Sequence, residues 1–217
     1  MERDHISQLQ PLKICNGWSV VLNNLCSEKR MQEKCELLIL QNEKRKAFIK
    51  VNYENNQYHI KVAGLHTDKI YEDESFDEIE QLLEELEYQI WSVGSGVLEG
   101  LQPLSQQIPN FLRLKIPAGW TVDYITLKDT DPETLEANDD AWLFDFNQDL
   151  LQISHKTKKL LLDVGWYPEG DPTGSYGIEL IKNEDWDNPL EDVRCTELKE
   201  LSKQLDYIFM KEIKNEY

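Results

Sequence analysis

The sequence lacks the short motifs that identify common enzyme classes. It contains no G-x-S-x-G, no Walker loop and no G-x-G-x-x-G. The histidines show no H-x-H or H-E-x-x-H spacing; they are His5, His59, His66 and His155. Because no nucleophile, phosphate-binding or zinc signature is present, we expect a protein without enzymatic activity and without a cofactor.

Cysteine is scarce and does not occur in pairs. The four cysteines form no C-x-x-C motif, and their spacings do not suit a zinc knuckle; they are Cys15, Cys26, Cys35 and Cys195. In a reducing compartment such residues are free thiols. The sequence therefore predicts neither a disulfide framework nor a structural metal site.

Long apolar runs are also missing. No segment approaches the roughly 18 apolar residues that a membrane-spanning helix needs. Residues 1–10 contain no apolar stretch of the kind found in a secretory signal. We therefore expect a cytoplasmic protein.

Basic residues are few compared with acidic ones. The chain has 41 Asp and Glu against 23 Lys and Arg, a net charge of −18. Two stretches are especially acidic: residues 68–87 contain Lys69 as their only base, and residues 123–149 contain only Lys128. A field of this sign repels phosphate backbones and anionic membranes and attracts basic proteins. The composition predicts a basic protein partner, and neither nucleic acid nor a membrane; it leaves the oligomeric state open.

A nine-residue segment occurs twice, about a hundred residues apart. Residues 12–20 read LKICNGWSV, and residues 114–122 read LKIPAGWTV. Short runs rich in Val, Ile, Leu, Phe and Tyr follow each copy, separated by polar turn clusters, which is typical of antiparallel strands. The cluster ENNQ at residues 54–57 is predicted to be a hairpin turn between two of these strands. We expect Trp18 and Trp120 to be core residues.

An amphipathic helix is predicted to close each half. Apolar residues recur at three- and four-residue steps in residues 75–91 and again in residues 196–213. Ser75 and Thr196 are the predicted N-caps of these helices. The prediction is an α+β fold made by tandem duplication of a unit with a four-stranded antiparallel sheet packed by one C-terminal helix.

The predicted domain organisation follows from this repeat. Residues 1–96 form the first copy and residues 111–217 the second. Residues 97–110 form a linker that is partly packed, because it contains Val97, Leu98, Leu101 and Leu104 among its Gly and Pro residues. The second copy has a longer insertion between its last strand and its helix, with an extra strand at residues 176–182. Function is often carried by such long loops.

Residues 129–140 partly match the pattern of a calcium-binding loop. Acidic residues occupy the first, third and fifth positions of a calcium-loop pattern, but Thr134 stands where Gly is required and Asp140 where Glu is expected. We interpret the segment instead as a short helix capped by Asp131 with Pro132 at its first position. A metal-dependent hydrolase remains the least favoured alternative, with Asp139, Asp140 and Asp145 as its candidate residues.

Acidic and aromatic residues are interleaved in the second half. Trp142 follows two acids, Tyr176 follows an acidic turn, and Trp186 lies between two Asp residues. Trp and Tyr beside charge are typical of interface hot spots. The predicted partner-binding residues are Asp139, Asp140, Trp142, Asp171, Tyr176, Asp185, Trp186 and Asp187.

The chain resembles small immunity proteins of bacterial polymorphic-toxin systems. The resemblance rests on the GWSV that opens a strand, on strands ending in Gly, on the C-terminal amphipathic helix, and on SYGIELIKNEDWDNPLEDV in residues 175–193. It implies a cytoplasmic, non-enzymatic inhibitor of one toxin domain, commonly a nuclease. A non-catalytic scaffold or adaptor with another partner is the alternative.

Overall fold

The computed structural model describes residues 5–26, 34–103 and 105–217. The chain forms two compact units: unit 1 is Met1–Ile108 with Leu114–Trp120, and unit 2 is Pro109–Arg113 with Thr121–Tyr217. Part of the segment considered for a secretory signal, residues 1–4, and Leu104 of the predicted linker lie outside the described residues. Each unit is a layer of antiparallel strands with a long C-terminal helix.

The described residues of unit 1 form five strands, with helical segments before the first strand and after the last. Its elements are α1 (His5–Gln8), β1 (Ser19–Asn23), β2 (Lys34–Asn42), β3 (Ala47–Glu54), β4 (Gln57–Gly64), β5 (Ile70–Phe76), α2 (Ile79–Ser95) and a 3-10 helix (Val97–Glu99). The strands pair in chain order, each antiparallel to the next.

Helix α2 supplies one layer of the unit 1 core. It packs on β3, β4 and β5, and it buries Leu82, Leu86 and Ile90 at the four-residue spacing that the sequence shows. Trp18 is completely buried, and its indole Nε1 donates a hydrogen bond to the Ile90 carbonyl oxygen at 3.0 Å. The indole therefore fills core volume while its polar nitrogen is satisfied.

The turn between β3 and β4 has the geometry of a two-residue hairpin. Asn55 and Asn56 both have positive φ, of 55° and 65°, between the paired residues Glu54 and Gln57. Asparagine tolerates this left-handed conformation, and the turn matches the twist of the flanking strands. The hairpin predicted at residues 54–57 is confirmed.

The two similar nonapeptides contact each other within unit 1. Leu12 and Leu114 exchange two backbone hydrogen bonds of 3.0 Å, and the Val20 amide donates to the Trp120 carbonyl oxygen at 2.8 Å. Trp120, like Trp18, is fully buried. The prediction that both tryptophans are core residues is confirmed.

Unit 2 also contains five strands. Its elements are β6 (Thr121–Ile125), a 3-10 helix (Pro132–Thr134), α3 (Ala141–Asp145), β7 (Leu151–His155), β8 (Leu160–Tyr167), β9 (Ser175–Lys182), β10 (Glu191–Cys195) and α4 (Leu198–Ile213). These strands again pair in chain order and antiparallel. Alternate residues of β8 are buried, from Leu160 to Trp166, and α4 contributes Leu201, Leu205 and Ile208 to the core.

The predicted duplication of a four-stranded, one-helix unit is wrong. The ten strands belong to one sheet with the order β10-β9-β8-β7-β6-β1-β2-β3-β4-β5, and each half contributes five strands. The strands that the sequence did not reveal are β5 and β10, because acidic residues are unfavourable inside a strand. Both lie at the edges of the sheet, where charged side chains reach water and prevent pairing with other chains.

The predicted helix caps are also wrong. Ser75 lies in β5, where its Oγ bonds to His59 Nδ1 at 2.7 Å, and α2 begins after Glu78. Helix α4 begins after Glu197 rather than at Thr196. Neither Glu78 nor Glu197 makes a side-chain capping hydrogen bond.

Other local predictions are confirmed. The extra strand at residues 176–182 is β9. The Asp131 side chain accepts a hydrogen bond from the Glu133 amide at 3.1 Å, and Pro132 begins the 3-10 helix. In the described part of the chain, no helix is long and apolar enough to cross a membrane.

Candidate functional site

The sheet of unit 2 has a buried face and a polar face. The even-numbered residues from Leu160 to Trp166 of β8 and from Tyr176 to Leu180 of β9 are buried in the core, whereas Asp163 and Glu179 are half-buried on the other face. Gln152 of β7 and Asp192 of β10 pair with these residues and share their face. We call this surface the polar face.

Three carboxylates lie in register across the polar face. Asp163 is opposite Glu179, and Glu179 is opposite Asp192, so one acid comes from each of three neighbouring strands. Directly opposed side chains on antiparallel strands have Cβ atoms only ~5 Å apart. We call Asp163, Glu179 and Asp192 the carboxylate row.

The carboxylate row lacks a neutralising cation. Among the described residues, no Lys or Arg forms an ion pair with any of its three members. Asp163 accepts one hydrogen bond, from Gln152 Nε2 at 3.1 Å. Partial burial raises the pKa of Asp163, the Gln152 hydrogen bond opposes this shift, and the nearby Asp149 and Glu179 charges reinforce it. The row is therefore a concentration of negative charge that no described Lys or Arg neutralises through an ion pair.

A shallow depression opens beside Asp163. Its volume is about 350 Å³, and it is lined by Tyr124, Asp149, Leu151, Gln152 and Asp163. A tyrosine ring beside two carboxylates suits a lysine or arginine side chain, which has an apolar stem and a charged end.

Arg194 also lies on the polar face but is already engaged. Its guanidinium stacks on the Tyr167 ring at 4.9 Å from the ring centroid. Gly177 leaves room for it: a Cβ at that position would stand 2.4 Å from an Arg194 side-chain nitrogen. The Tyr167 hydroxyl donates a hydrogen bond to the Gln148 carbonyl oxygen at 3.3 Å. Burial raises the pKa of this hydroxyl, and the charges of Asp163, Glu179 and Asp149 raise it further.

Two of the predicted partner-binding residues are interior. Trp142 is 4% exposed and Tyr176 is 1% exposed, and both belong to an aromatic cluster with Phe146 and Trp166. The Trp142 ring lies 4.6 Å from that of Phe146, and the Trp166 ring lies 4.8 Å from that of Tyr176. Both side chains lie in the interior of unit 2, whereas the sequence analysis expects them on an accessible surface.

The remaining predicted residues fall at opposite ends of β9. Asp171 lies in the loop before β9, whereas Asp185, Trp186 and Asp187 lie in the turn after it. The eight residues of β9 separate the two ends by roughly 23 Å at ~3.3 Å per residue. Trp186 is 49% exposed and available for contact, but the structure does not unite these residues into one site.

The exposed acids before β9 support local structure. Asp139 Oδ1 accepts from the Ala141 amide at 2.8 Å at the start of α3, and Asp140 is exposed beside it. Asp171 Oδ1 accepts from both the amide and the hydroxyl of Thr173, and these hydrogen bonds lower its pKa.

Two of the three candidate residues for a hydrolase, Asp139 and Asp145, have structural roles. Asp145 forms an ion pair with Lys128 at 3.0 Å and accepts from Thr130 Oγ1 at 3.1 Å. Within the described ranges, no three His, Cys, Asp or Glu side chains are grouped so that they could hold a metal ion.

Sequence reasoning missed the carboxylate row. Its residues are separated by 16 and 13 positions; Asp163 and Glu179 are each the only acid of their strand, and Asp192 follows Glu191 in β10. The available signal was alternation: Asp163 and Glu179 are the acids at polar-face positions of β8 and β9. Only the strand register shows that they are neighbours.

Comparisons with known proteins give no further guidance on this site. The sequence matches no family model, and it matches no curated protein and no solved structure.

Proposed function

We propose that this chain is a non-enzymatic immunity protein that neutralises a basic toxin domain by direct binding. The observation that carries the proposal is the carboxylate row on the polar face of unit 2, three acids in cross-strand register that form no ion pair with any described Lys or Arg. The net charge of −18 extends the same preference over the whole chain.

Electrostatic repulsion within the carboxylate row favours binding of a cationic partner. Like charges that face each other across strands destabilise a sheet. Lysine or arginine side chains from a partner would replace this repulsion with attraction, so binding relieves a cost that folding leaves in place. Burial is the main cause of the raised pKa of half-buried Asp163, and the Asp149 and Glu179 charges add to it.

A basic toxin domain fits this surface by chemistry. A nuclease must carry Lys and Arg where it contacts the phosphate backbone. A row of carboxylates with cross-strand spacing can occupy the places of those phosphates and block the substrate. Complementary charge also raises the association rate, which benefits a protein that must act before the toxin does.

The test uses the toxin domain encoded next to this chain. The chain is co-expressed with that domain, cell survival is scored, and association and dissociation rates are measured at 50 and 500 mM NaCl with purified proteins. The row variant Asp163→Asn/Glu179→Gln/Asp192→Asn should associate at least ~10-fold more slowly at low salt, because electrostatic steering contributes 10-fold or more. The difference should shrink at high salt, where exposed charges are screened.

A matched control removes the same number of charges elsewhere in unit 2. The variant Glu184→Gln/Asp185→Asn/Asp187→Asn changes three exposed acids of the β9–β10 turn. It should associate within about threefold of the wild-type rate if the carboxylate row is the main steering surface. Equal cell death with and without the chain contradicts the immunity function. Normal binding by the row variant, with loss of binding by the control, moves the interface to the turn.

A further inference from the structure

Helix α3 exposes two large apolar side chains in succession. Leu143 is 68% exposed and Phe144 is 71% exposed. We call this pair the α3 knob. Isolated apolar residues on a surface are ordinary, whereas two large ones side by side form a small apolar patch that can serve a contact.

The α3 knob is held in place by the buried side of the same helix. Trp142 and Phe146, four residues apart, point into the aromatic cluster, and Trp142 Nε1 donates to the Glu136 carbonyl oxygen at 2.9 Å. The C-terminal end is fixed by the Asp145–Lys128 ion pair. An apolar side chain that is presented on a fixed backbone loses little entropy on binding, which is the property of an interface anchor.

The loop after β8 connects the α3 knob with the polar face. Tyr167 lies at the end of β8 on the polar face, and three residues later Gly170 donates its amide to the Phe146 carbonyl oxygen at 2.9 Å. A Cβ at Gly170 would stand 3.9 Å from Leu143 Cδ2. One partner reaching over this loop can therefore touch both regions.

The acidic residues around the α3 knob favour one class of binding partner. Residues 129–154 surround it in sequence with eight acids and no Lys or Arg. A second copy of this chain would bring the same acids to the contact, and an anionic membrane would bring phosphates, so both are repelled. A protein with an apolar pocket ringed by Lys and Arg is attracted, because it matches both the side chains and the field.

We infer that the α3 knob is the hydrophobic anchor of the toxin interface, inserting Leu143 and Phe144 into an apolar pocket with a basic rim on the toxin domain. This inference rests on the function proposed above. It assigns separate kinetic roles: the carboxylate row sets the association rate, and the α3 knob sets the lifetime of the complex.

The experiment compares two matched double variants against the adjacent-gene toxin domain. Leu143→Ser/Phe144→Ser should dissociate about 30-fold faster or more, as hot-spot residues do when truncated, with an association rate within ~2-fold of wild type at both salt concentrations. The control Tyr207→Ser/Ile213→Ser removes two exposed apolar residues of α4 and should bind like wild type. Thermal unfolding of the two double variants verifies that both remain folded.

A cross-linking arm locates the contact directly. Phe144 is replaced by the photoreactive p-benzoylphenylalanine, with the same replacement at Tyr207 as the control, and both are irradiated with the toxin domain. Cross-linking through position 144 and not 207 is the expected result.

Three outcomes overturn the inference in distinguishable ways. Unchanged dissociation of Leu143→Ser/Phe144→Ser, with binding otherwise intact, removes the α3 knob from the interface and leaves the proposed function standing. A dimer of the free chain in sedimentation that this variant abolishes shows that the occupant is a second copy. Absence of any binding by the wild-type chain overturns both the inference and the proposed function.

Discussion

Glu179→Gln removes the central charge of the carboxylate row and is expected to stabilise the protein at neutral pH. Glu179 faces Asp163 on one side and Asp192 on the other, so the substitution eliminates two opposed like-charge pairs at once. Each such pair is worth roughly 0.2–1 kcal/mol, which gives a gain of about 0.4–2 kcal/mol in the free energy of unfolding. Glutamine keeps the length and the amphipathic character of the side chain, so packing on the sheet should not change.

The assay is urea and thermal unfolding at pH 7 in 20 mM salt. For a protein of this size the gain corresponds to a rise in Tm of roughly 1–8 °C. In 1 M NaCl, where the screening length falls to about 3 Å, the gain should be much smaller. The same variant should associate more slowly with the toxin domain, so one substitution improves stability and impairs binding.

Glu184→Gln is the control for the change in net charge. Glu184 is exposed in the turn after β9 and lies outside the paired strands. If Glu184→Gln stabilises the protein as much as Glu179→Gln, the benefit comes from overall charge and not from the row. If Glu179→Gln gives no gain at low salt, the opposed acids are not strained and the physical basis of the proposed function fails.

Two further predictions concern Asp163 and Gly165 of β8, with Gly94 of α2 as the control for the second. The pKa of Asp163 is raised in the folded protein, so at pH values above it the ionised carboxylate lowers the free energy of unfolding. Below the unfolded value of ~3.9 this loss disappears. The stability advantage of Asp163→Asn, measured by urea unfolding, should therefore be present at pH 7 and absent at pH 3.5. Gly165→Ala should destabilise the protein by roughly 1–3 kcal/mol, since the new Cβ would stand 1.9 Å from the Gln148 carbonyl oxygen. Gly94→Ala, where the Cβ meets only ordinary contacts in α2, should be neutral or stabilise by up to ~1 kcal/mol; equal effects at both glycines would contradict the packing described here.

The sequence was most informative where local chemistry alone decides the structure. The Asn55-Asn56 turn, the Asp131 cap and the apolar face of α2 depend on residues within a few positions of one another, and all three are present as predicted. The two buried tryptophans were recognisable because each follows a glycine in a repeated apolar context.

Prediction from the sequence failed where the structure depends on pairing between strands that are distant in the chain. The strand β5 reads as an acidic loop, and only its edge position makes a strand of this composition acceptable. Proximity of acids to Trp142 suggested an exposed hot spot, although the spacing of Trp142 and Phe146 was a signal of a buried helix face. The carboxylate row arises from three strands, and sequence cannot supply their register.

Unit 1 is formed by two separate segments of the chain, and this affects both folding during synthesis and the choice of fragments for expression. Leu114–Trp120 belongs to unit 1, while the five residues before it belong to unit 2. When residues 1–108 have left the ribosome, the segment Leu114–Trp120, which pairs with Leu12 and Val20, has not yet been released. Until it is, the apolar surface that this segment covers in unit 1 stays exposed. For the same reason, cutting the gene at residue 97 or 110 yields two fragments that each lack backbone partners, and a fragment intended to fold alone as unit 1 must extend to Trp120.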